Sequence, residues 1–357
     1  MNFSEMIHSE RARLLRDLPK GAKFFCSAGC SGSWYFKWIE QEYGWIDEHA
    51  GVELYSPRPA DLPSNVNWIQ NSVASMVDVR SESVDLLFSG QNIEHLYPED
   101  MKGFLVEAAR IVKPGGVLCM DSPNRAMTQK GGYIQPEHVL ELTVAEAVSL
   151  VVAAGFEIEK VDGIWLCESQ NYERLAIDAT EDPVARGERL AAAQGNPEKS
   201  FIWWIVARRR PGVSGDTSRI VDSIFLKEFS GFARSRYSLG CGSLKAALGT
   251  ESIVEVSRQN SGYLFYGPYV PLPSGHYCAE FRFKFLQAGG RVVLDVVSAV
   301  GGKIHAVHAI EDVLPRGWQS MSLEFELAEY TTGIEARVLV DSVDAVFRFG
   351  AQLLPLA

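Results

Sequence analysis

Paired cysteines, an excess of positive charge and long apolar runs are all missing from this sequence. Its six cysteines are scattered without a C-x-x-C pair, which excludes a zinc knuckle and a disulfide framework and leaves Cys26 and Cys30 as small packing residues. The net charge is −11. Because a phosphate backbone is bound mainly through clustered Lys and Arg, we expect no nucleic-acid partner. The dense basic run "ARRRPG" follows a strand-like segment and marks the end of a domain.

No stretch reaches the roughly 20 apolar residues that a membrane span needs, and the first residues lack the apolar centre of a signal peptide. We therefore expect no membrane span and a cytoplasmic location. With 357 residues, of which 46% are hydrophobic and 22% charged, the chain has the composition of a globular protein but exceeds the usual size of one core. We expect two domains, 1–213 and 214–357.

The first domain alternates strand-like and helix-like segments, which predicts an α/β fold with a largely parallel sheet. "AKFFCSA" and "GVELYS" are the first two predicted strands, and "SVDLLFSG" is apolar on both faces, as in a buried parallel strand. A helix is predicted from Pro98 to Val112, and "KPGG" ends it before the strand "VLCMDSPN".

Thr143 and Glu146 form a predicted capping box at the start of a later helix, which Gly155 stops. "GFEIEKVDGI" and "FIWWIVARR" are predicted as the last two strands of this domain. After them the pattern changes to short alternating runs separated by Gly, Pro and Ser, such as "GRVVLDVVSA" and "IEARVLVDSV". That pattern predicts an antiparallel β-sandwich.

Ligands of an open α/β sheet bind beyond the carboxyl ends of its strands, so the residues that follow each strand are the candidates. The loop "SAGCSGS" after the first strand is either a cradle for a ligand or a turn of small residues. Glu53 ends the second strand, where an acid can accept hydrogen bonds from two ribose hydroxyls. The candidate binding residues are Ala28, Gly29, Cys30, Ser31, Gly32, Glu53, Ser72, Val73, Ser89 and Gly90.

Together these segments resemble the class I S-adenosylmethionine-dependent methyltransferases of the type 11-like group. "SVDLLFSGQNIEHLYPEDMKGFLVEAARIVKPGGVLCMDSPNR" and "PEHVLELTVAEAVSLVVAAGFEI" are similar to recurring elements of that family. The resemblance implies a Rossmann-like domain with S-adenosyl-L-methionine as cofactor, and Glu53 matches the acid that binds its ribose. The first loop departs from the family pattern, which has an acid and three glycines there. A dinucleotide-binding oxidoreductase is the rival reading, but "AGCSGS" does not satisfy its GxGxxG fingerprint.

Methyl transfer depends mainly on aligning the acceptor, and a hydroxyl acceptor also gains from a general base. His95 and His138 are the candidate bases, with Asp121 behind them; each histidine could equally be a pocket or structural residue. The sequence shows no carboxylate cluster that indicates a metal.

The segment "GYLFYGPYVPLPSGHYCAEFRFKF" resembles carbohydrate-binding-like jelly-roll modules of enzymes that make bacterial surface polysaccharides. Tyr263, Tyr266, Tyr269 and Trp318 could stack on sugar rings or fill the sandwich core. The resemblance implies an O-methyltransferase of a saccharide or polysaccharide, in the synthesis of lipopolysaccharide O-antigen or of a capsule. The alternatives are methylation of a small metabolite, with the sandwich serving to form a homo-oligomer, and a non-catalytic polysaccharide-assembly protein.

Overall fold

A computed structural model describes residues 2–133, 135, 137–178, 180–212, 216–232, 237–246, 252–311 and 313–356. The chain divides into two compact units, Met1–Val221 and Asp222–Ala357. The domain boundary predicted between residues 213 and 214 lies outside the described residues.

Seven strands of the described first unit form one sheet in the order β3-β2-β1-β4-β5-β7-β6. The first five are parallel, and β7 runs antiparallel to β5 and to β6. This confirms the α/β fold and the two closing strands. The strands are β1 (Phe24–Ala28), β2 (Glu48–Glu53), β3 (Val66–Gln70), β4 (Val84–Gly90), β5 (Val112–Pro123), β6 (Phe156–Leu166) and β7 (Ser200–Arg209).

The predicted capping box is present: Thr143 Oγ1 accepts from the Glu146 amide, and Glu146 Oε2 accepts from the Thr143 amide. Within the described ranges, no helix combines the length and the apolar character needed to cross a membrane. The helices are α1 (Phe3–Arg16), α2 (Ser33–Tyr43), α3 (Pro98–Ile111), α4 (Arg125–Gly131), α5 (Val144–Ala153), α6 (Pro183–Gln194) and α7 (Ser218–Phe232), with short 3-10 helices at Ile93–His95 and Pro197–Lys199.

Two predicted boundaries differ from the structure. The second strand begins earlier than "GVELYS" and ends at Glu53, because the Glu53 carboxylate accepts the amides of Tyr55 and Ser56 and turns the chain there. "KPGG" lies inside β5 rather than before it, where the pairing register with β4 is irregular. Gly115 in this segment has a φ of +78°, which glycine adopts without strain.

The described second unit contains two antiparallel sheets, which confirms the predicted antiparallel strands. Burial alternates along β16 and much of β13, as it does when one face of a sheet packs in a core. One sheet has the order β16-β13-β18-β10-β9 with β19 beside β13, and the other β15-β14-β17-β11-β8 with β12 beside β17. The strands are β8 (Ser238–Leu239), β9 (Ser243–Ala246), β10 (Ser252–Val256), β11 (Gly262–Tyr266), β12 (Pro268–Leu272), β13 (Gly275–Phe285), β14 (Arg291–Ser298), β15 (Lys303–Glu311), β16 (Gln319–Leu327), β17 (Thr331–Asp341), β18 (Ala345–Arg348) and β19 (Gln352–Pro355).

Candidate active site

The loop between β1 and α2 is held tightly against its neighbours. The amides of Gly29 and Cys30 donate to the carbonyl oxygen of Val52, at 3.0 and 3.4 Å. Gly29 has a φ of +77°, and a Cβ built on it would lie 2.3 Å from Oδ1 of Asn92. Ala28 and Cys30 are buried and Ser31 is exposed. A side chain at position 29 would therefore be both strained and crowded, which explains the glycine.

Glu53 lies where β2 reaches the carboxyl edge of the sheet, which we call the rim. Its Oε1 accepts the amides of Tyr55 and Ser56, each at 2.9 Å. These two bonds fix the orientation of the carboxylate. Oε2 makes no hydrogen bond with any residue that the structure describes, so it is available to a ligand.

The segment after β3 is attached to the same part of the rim. The Asn71 amide donates to the carbonyl oxygen of Glu53 at 3.1 Å. In the next turn, Ser72 Oγ accepts the Ala74 amide and Val73 is buried. Ser72 and Val73 thus follow directly on Asn71, the residue bonded to Glu53, and their contact with a cofactor stays a prediction.

Ser89 and Gly90 end β4 and are both buried. Ser89 Oγ accepts from Nδ2 of Asn92 at 3.1 Å, so Asn92 links the end of β4 to the Gly29 loop. A Cβ at Gly90 would lie 2.4 Å from Nη2 of Arg11. The close approach of this guanidinium explains the glycine at position 90.

Asp121 is fully buried and faces partners that the sequence does not predict. It forms an ion pair with Arg11, in which Nη2 donates to Oδ1 at 3.2 Å and Nε contacts Oδ2. The Gln91 amide also donates to Oδ1, at 2.9 Å. The acid that contacts His138 is instead Glu141, whose Oε1 lies 2.6 Å from Nδ1 of the imidazole.

The two candidate bases lie side by side, with their ring centroids 4.9 Å apart and their planes nearly perpendicular. Nδ1 of His95 is 3.2 Å from the carbonyl oxygen of Glu137. The carbonyl oxygen of Glu94 accepts the amides of Val139 and Leu140, at 2.7 and 3.1 Å. These backbone bonds hold the His138 segment against the 3-10 helix that carries His95.

Glu94 is a site residue that the sequence analysis misses, although it belongs to the quoted "EHL" motif. Its carboxyl is fully buried, and burial raises its pKa to about 8. Ser122 lies near enough to lower the pKa in part, but neither carboxyl oxygen has a hydrogen bond of normal geometry from the described residues. The exposed His95 beside it gives no hint that the preceding side chain points inward.

Arg11 and Tyr35 are the other residues that the sequence analysis misses. Arg11 comes from α1, far along the chain from the strand ends that mark the rim. The Tyr35 hydroxyl is buried without a hydrogen-bond partner among the described residues, and burial raises its pKa. Neither residue belongs to a motif at a strand end, so only the folded structure reveals their place.

A family described as "Methyltransferase domain" matches residues 27–120. A probable S-adenosylmethionine-dependent methyltransferase of Mycolicibacterium smegmatis is 39% identical over 85 residues, 23% of this chain and 32% of that protein. One of Mycobacterium tuberculosis is 40% identical over 112 residues, 31% of this chain and 38% of that protein. The matches thus span 32% and 38% of the length of these curated relatives. Among solved structures, a SAM dependent methyltransferase from Archaeoglobus fulgidus covers 57% of this chain and 94% of its own, with 18% identity and a TM-score of 0.42.

The rim residues fit S-adenosyl-L-methionine, the cofactor that the comparisons support. Glu53 has an oriented carboxylate with one oxygen available for the ribose diol, and the Gly29 loop approaches its neighbours more closely than a side chain would allow. When bound, this cofactor supplies an activated methyl group on a positively charged sulfur. Residues 27–120 therefore lie in an S-adenosyl-L-methionine-dependent methyltransferase domain of Rossmann-like fold.

Proposed function

We propose that this protein transfers the methyl group of S-adenosyl-L-methionine to a hydroxyl of a saccharide, in the synthesis of a bacterial surface polysaccharide such as an O-antigen or a capsule. The observation that carries cofactor binding is Glu53, whose carboxylate is held in one orientation at the end of β2. The resemblance of the second unit to modules of polysaccharide-synthesis enzymes supports the choice of acceptor.

Exposed aromatic rings in the second unit support a saccharide acceptor. Tyr263 and Tyr269 are 41% and 43% exposed, so neither serves only as core packing. Tyr266 joins them, with ring centroids 6.3 Å from Tyr263 and 6.5 Å from Tyr269. We call these three residues the tyrosine cluster. Adjacent exposed rings offer an apolar surface on which sugar faces can stack.

A polar group beside the tyrosine cluster adds a means of recognising hydroxyls. Glu335 interacts with Tyr269, is only 3% exposed, and burial raises its pKa. Its Oε1 has no hydrogen-bond partner within the described residues. Apolar surface with a few convergent polar groups is typical of ligand sites. Trp318 is also exposed, but it contacts Arg282 rather than the cluster.

Cofactor binding is tested by calorimetry with S-adenosyl-L-methionine on the full chain and on the variant Glu53→Gln. The glutamine keeps an oxygen for the Tyr55 and Ser56 amides but loses the charge. Hydrogen bonds to a charged group contribute about 1.5–3 kcal/mol each, so we expect affinity to fall at least about 10-fold. Glu48→Gln is the matched control, because Glu48 is exposed at the opposite end of β2. Absence of binding to the unmodified protein at millimolar cofactor would overturn the proposal and favour a non-catalytic role.

The acceptor class is tested by transfer of labelled methyl from the cofactor to saccharides. Alanine at Tyr263, Tyr266 and Tyr269 together is expected to raise KM for a saccharide several-fold and leave kcat unchanged, because the cluster is proposed to bind the acceptor and to take no part in the methyl transfer. Tyr172→Ala, which removes a ring 78% exposed in the first unit, is the control. Transfer to small metabolites alone, or a KM that the triple variant leaves unchanged, would contradict the saccharide assignment.

A further inference from the structure

We propose that Glu94, His95 and His138 bind a divalent transition-metal ion, in the class of Zn²⁺, Mn²⁺ and Co²⁺. One ligand atom from each residue lies within 4.8 Å of the other two. Two imidazoles and one carboxylate form a donor set that suits these ions, whereas Mg²⁺ and Ca²⁺ prefer oxygen ligands alone. We call the three residues the metal triad.

Glu94 supplies an observation that is independent of the clustering. Its carboxyl is completely buried, and neither oxygen has a hydrogen bond of normal geometry from the described residues, although Ser122 lies near enough to interact with it. An unpartnered buried carboxyl is costly, and native proteins rarely retain one without a reason. A cation coordinated by the carboxylate removes that cost.

Each histidine has an oxygen partner at Nδ1, as is common in protein metal sites, where one ring nitrogen is held by an oxygen and the other coordinates. Nδ1 of His138 contacts Oε1 of Glu141, and the hydroxyl of Thr128 contacts the other oxygen of the same carboxylate. Nδ1 of His95 lies 3.2 Å from the Glu137 carbonyl oxygen, which can only accept. An imidazole held through Nδ1 coordinates through Nε2.

The distances require only a modest closure of the triad. Ligand atoms around a tetrahedral ion with bonds of about 2.0–2.2 Å lie about 3.4 Å apart. The present upper limit of 4.8 Å exceeds that spacing by about 1.4 Å, so a side chain must rotate for the triad to close on an ion. His95 is exposed and can make that rotation, while backbone bonds from the Val139 and Leu140 amides to Glu94 hold the other two ligands together.

The triad follows directly on β4, at the same rim as Glu53. A metal ion held there would act as a Lewis acid and lower the pKa of an acceptor hydroxyl, which is a general means of generating an oxygen nucleophile at neutral pH. This role depends on the proposed methyl transfer, whereas the binding of the ion does not.

The test uses the full chain after dialysis against a chelator. Titration with Co²⁺ is followed by visible absorption, and Zn²⁺ and Mn²⁺ are titrated by calorimetry. We expect one equivalent to bind, with affinity at least about 100-fold weaker in Glu94→Gln and His138→Ala, and about 10–100-fold weaker in Glu141→Gln, which removes only the orienting charge. His308→Ala, at an exposed histidine of β15, is the control and should bind like the unmodified protein.

If Glu94→Gln fails to fold, His95→Ala provides the same test, because the His95 side chain is exposed. Binding of none of the three ions would overturn the proposal, as would binding that all three triad variants leave unchanged. Affinity for S-adenosyl-L-methionine is measured on the same preparations. Metal binding without cofactor binding would refute the proposed function alone, and cofactor binding without metal binding would refute the metal triad alone.

Discussion

The buried imidazole of His49 makes the stability of the first unit depend on pH. His49 lies in β2, is 1% exposed, and its Nε2 is 2.8 Å from Oγ of Ser27. The rings of Phe25 and Phe36 pack against it, with centroids at 4.9 and 4.8 Å. Burial lowers its pKa from 6.5 to about 3, so the folded protein keeps this imidazole neutral.

The sign follows from which state binds the proton. Below pH 6.5 the unfolded chain protonates His49 while the folded chain does not, so the free energy of unfolding falls as the pH is lowered from 6.5 towards 3. One pKa unit corresponds to about 1.4 kcal/mol, so this residue alone costs about 2 kcal/mol at pH 5 and about 4 kcal/mol at pH 3. Above pH 6.5 its contribution is constant.

Urea unfolding followed by tryptophan fluorescence measures the effect, because seven of the eight tryptophans lie in the first unit. The comparison is between the unmodified protein and His49→Gln at several values from pH 5 to pH 7, above the range where most carboxylates titrate. Below pH 6.5, the free energy of unfolding of the variant should change by about 1.4 kcal/mol less per pH unit than that of the unmodified protein. His308→Ala should keep the full slope. If His49→Gln and the unmodified protein show the same slope, the stated cause is refuted.

Two further substitutions test the packing of the rim by the same unfolding assay. Gly29→Ala should destabilise by at least about 2 kcal/mol, since alanine is strained at a φ of +77° and its Cβ meets Asn92. The penalty should shrink to about 1–2 kcal/mol in an Asn92→Ala background, and an unchanged penalty would exclude that contact as a cause. Asp121→Asn should cost about 3–5 kcal/mol because it leaves Arg11 buried without its counter-charge. In an Arg11→Met background the cost should largely disappear, and a cost that persists would contradict the ion-pair explanation.

The positions of the strand ends that form the rim are predicted well, because strand ends have local signals in the sequence. β4 was predicted over 83–90 and spans Val84–Gly90, and the Thr143 capping box is present as predicted. Glu53 was placed correctly at the end of β2, although the residues after it were assigned to the strand. The error has a local cause, since apolar Leu54 and Tyr55 extend the strand-like pattern while the Glu53 carboxylate turns the chain.

The remainder of the site depends on contacts between distant segments, which periodicity does not encode. Arg11 pairs with Asp121 across 110 positions of the chain. Asp121 is predicted to lie behind the two histidines, whereas the structure places Glu141 against His138, three residues further along the same loop. His95 and His138 are predicted together as the candidate bases, and backbone bonds to Glu94 hold their two segments side by side. Whether either histidine acts as a base stays a prediction.

The charges at the rim connect the buried ion pair with the metal triad. Arg11, Asp121 and Glu94 are all buried and interact electrostatically, so one guanidinium faces two carboxyls. The Asp121 carboxylate accepts close contacts from both Nε and Nη2 of the Arg11 guanidinium. Glu94 interacts with the same cation but receives no hydrogen bond from the described residues, and it also faces the charge of Asp121. Burial therefore favours the neutral form of Glu94 and raises its pKa to about 8, because burying an unbalanced charge is unfavourable. An ion at the triad is therefore supported by geometry, which places a ligand atom of Glu94 within 4.8 Å of one on His95 and one on His138.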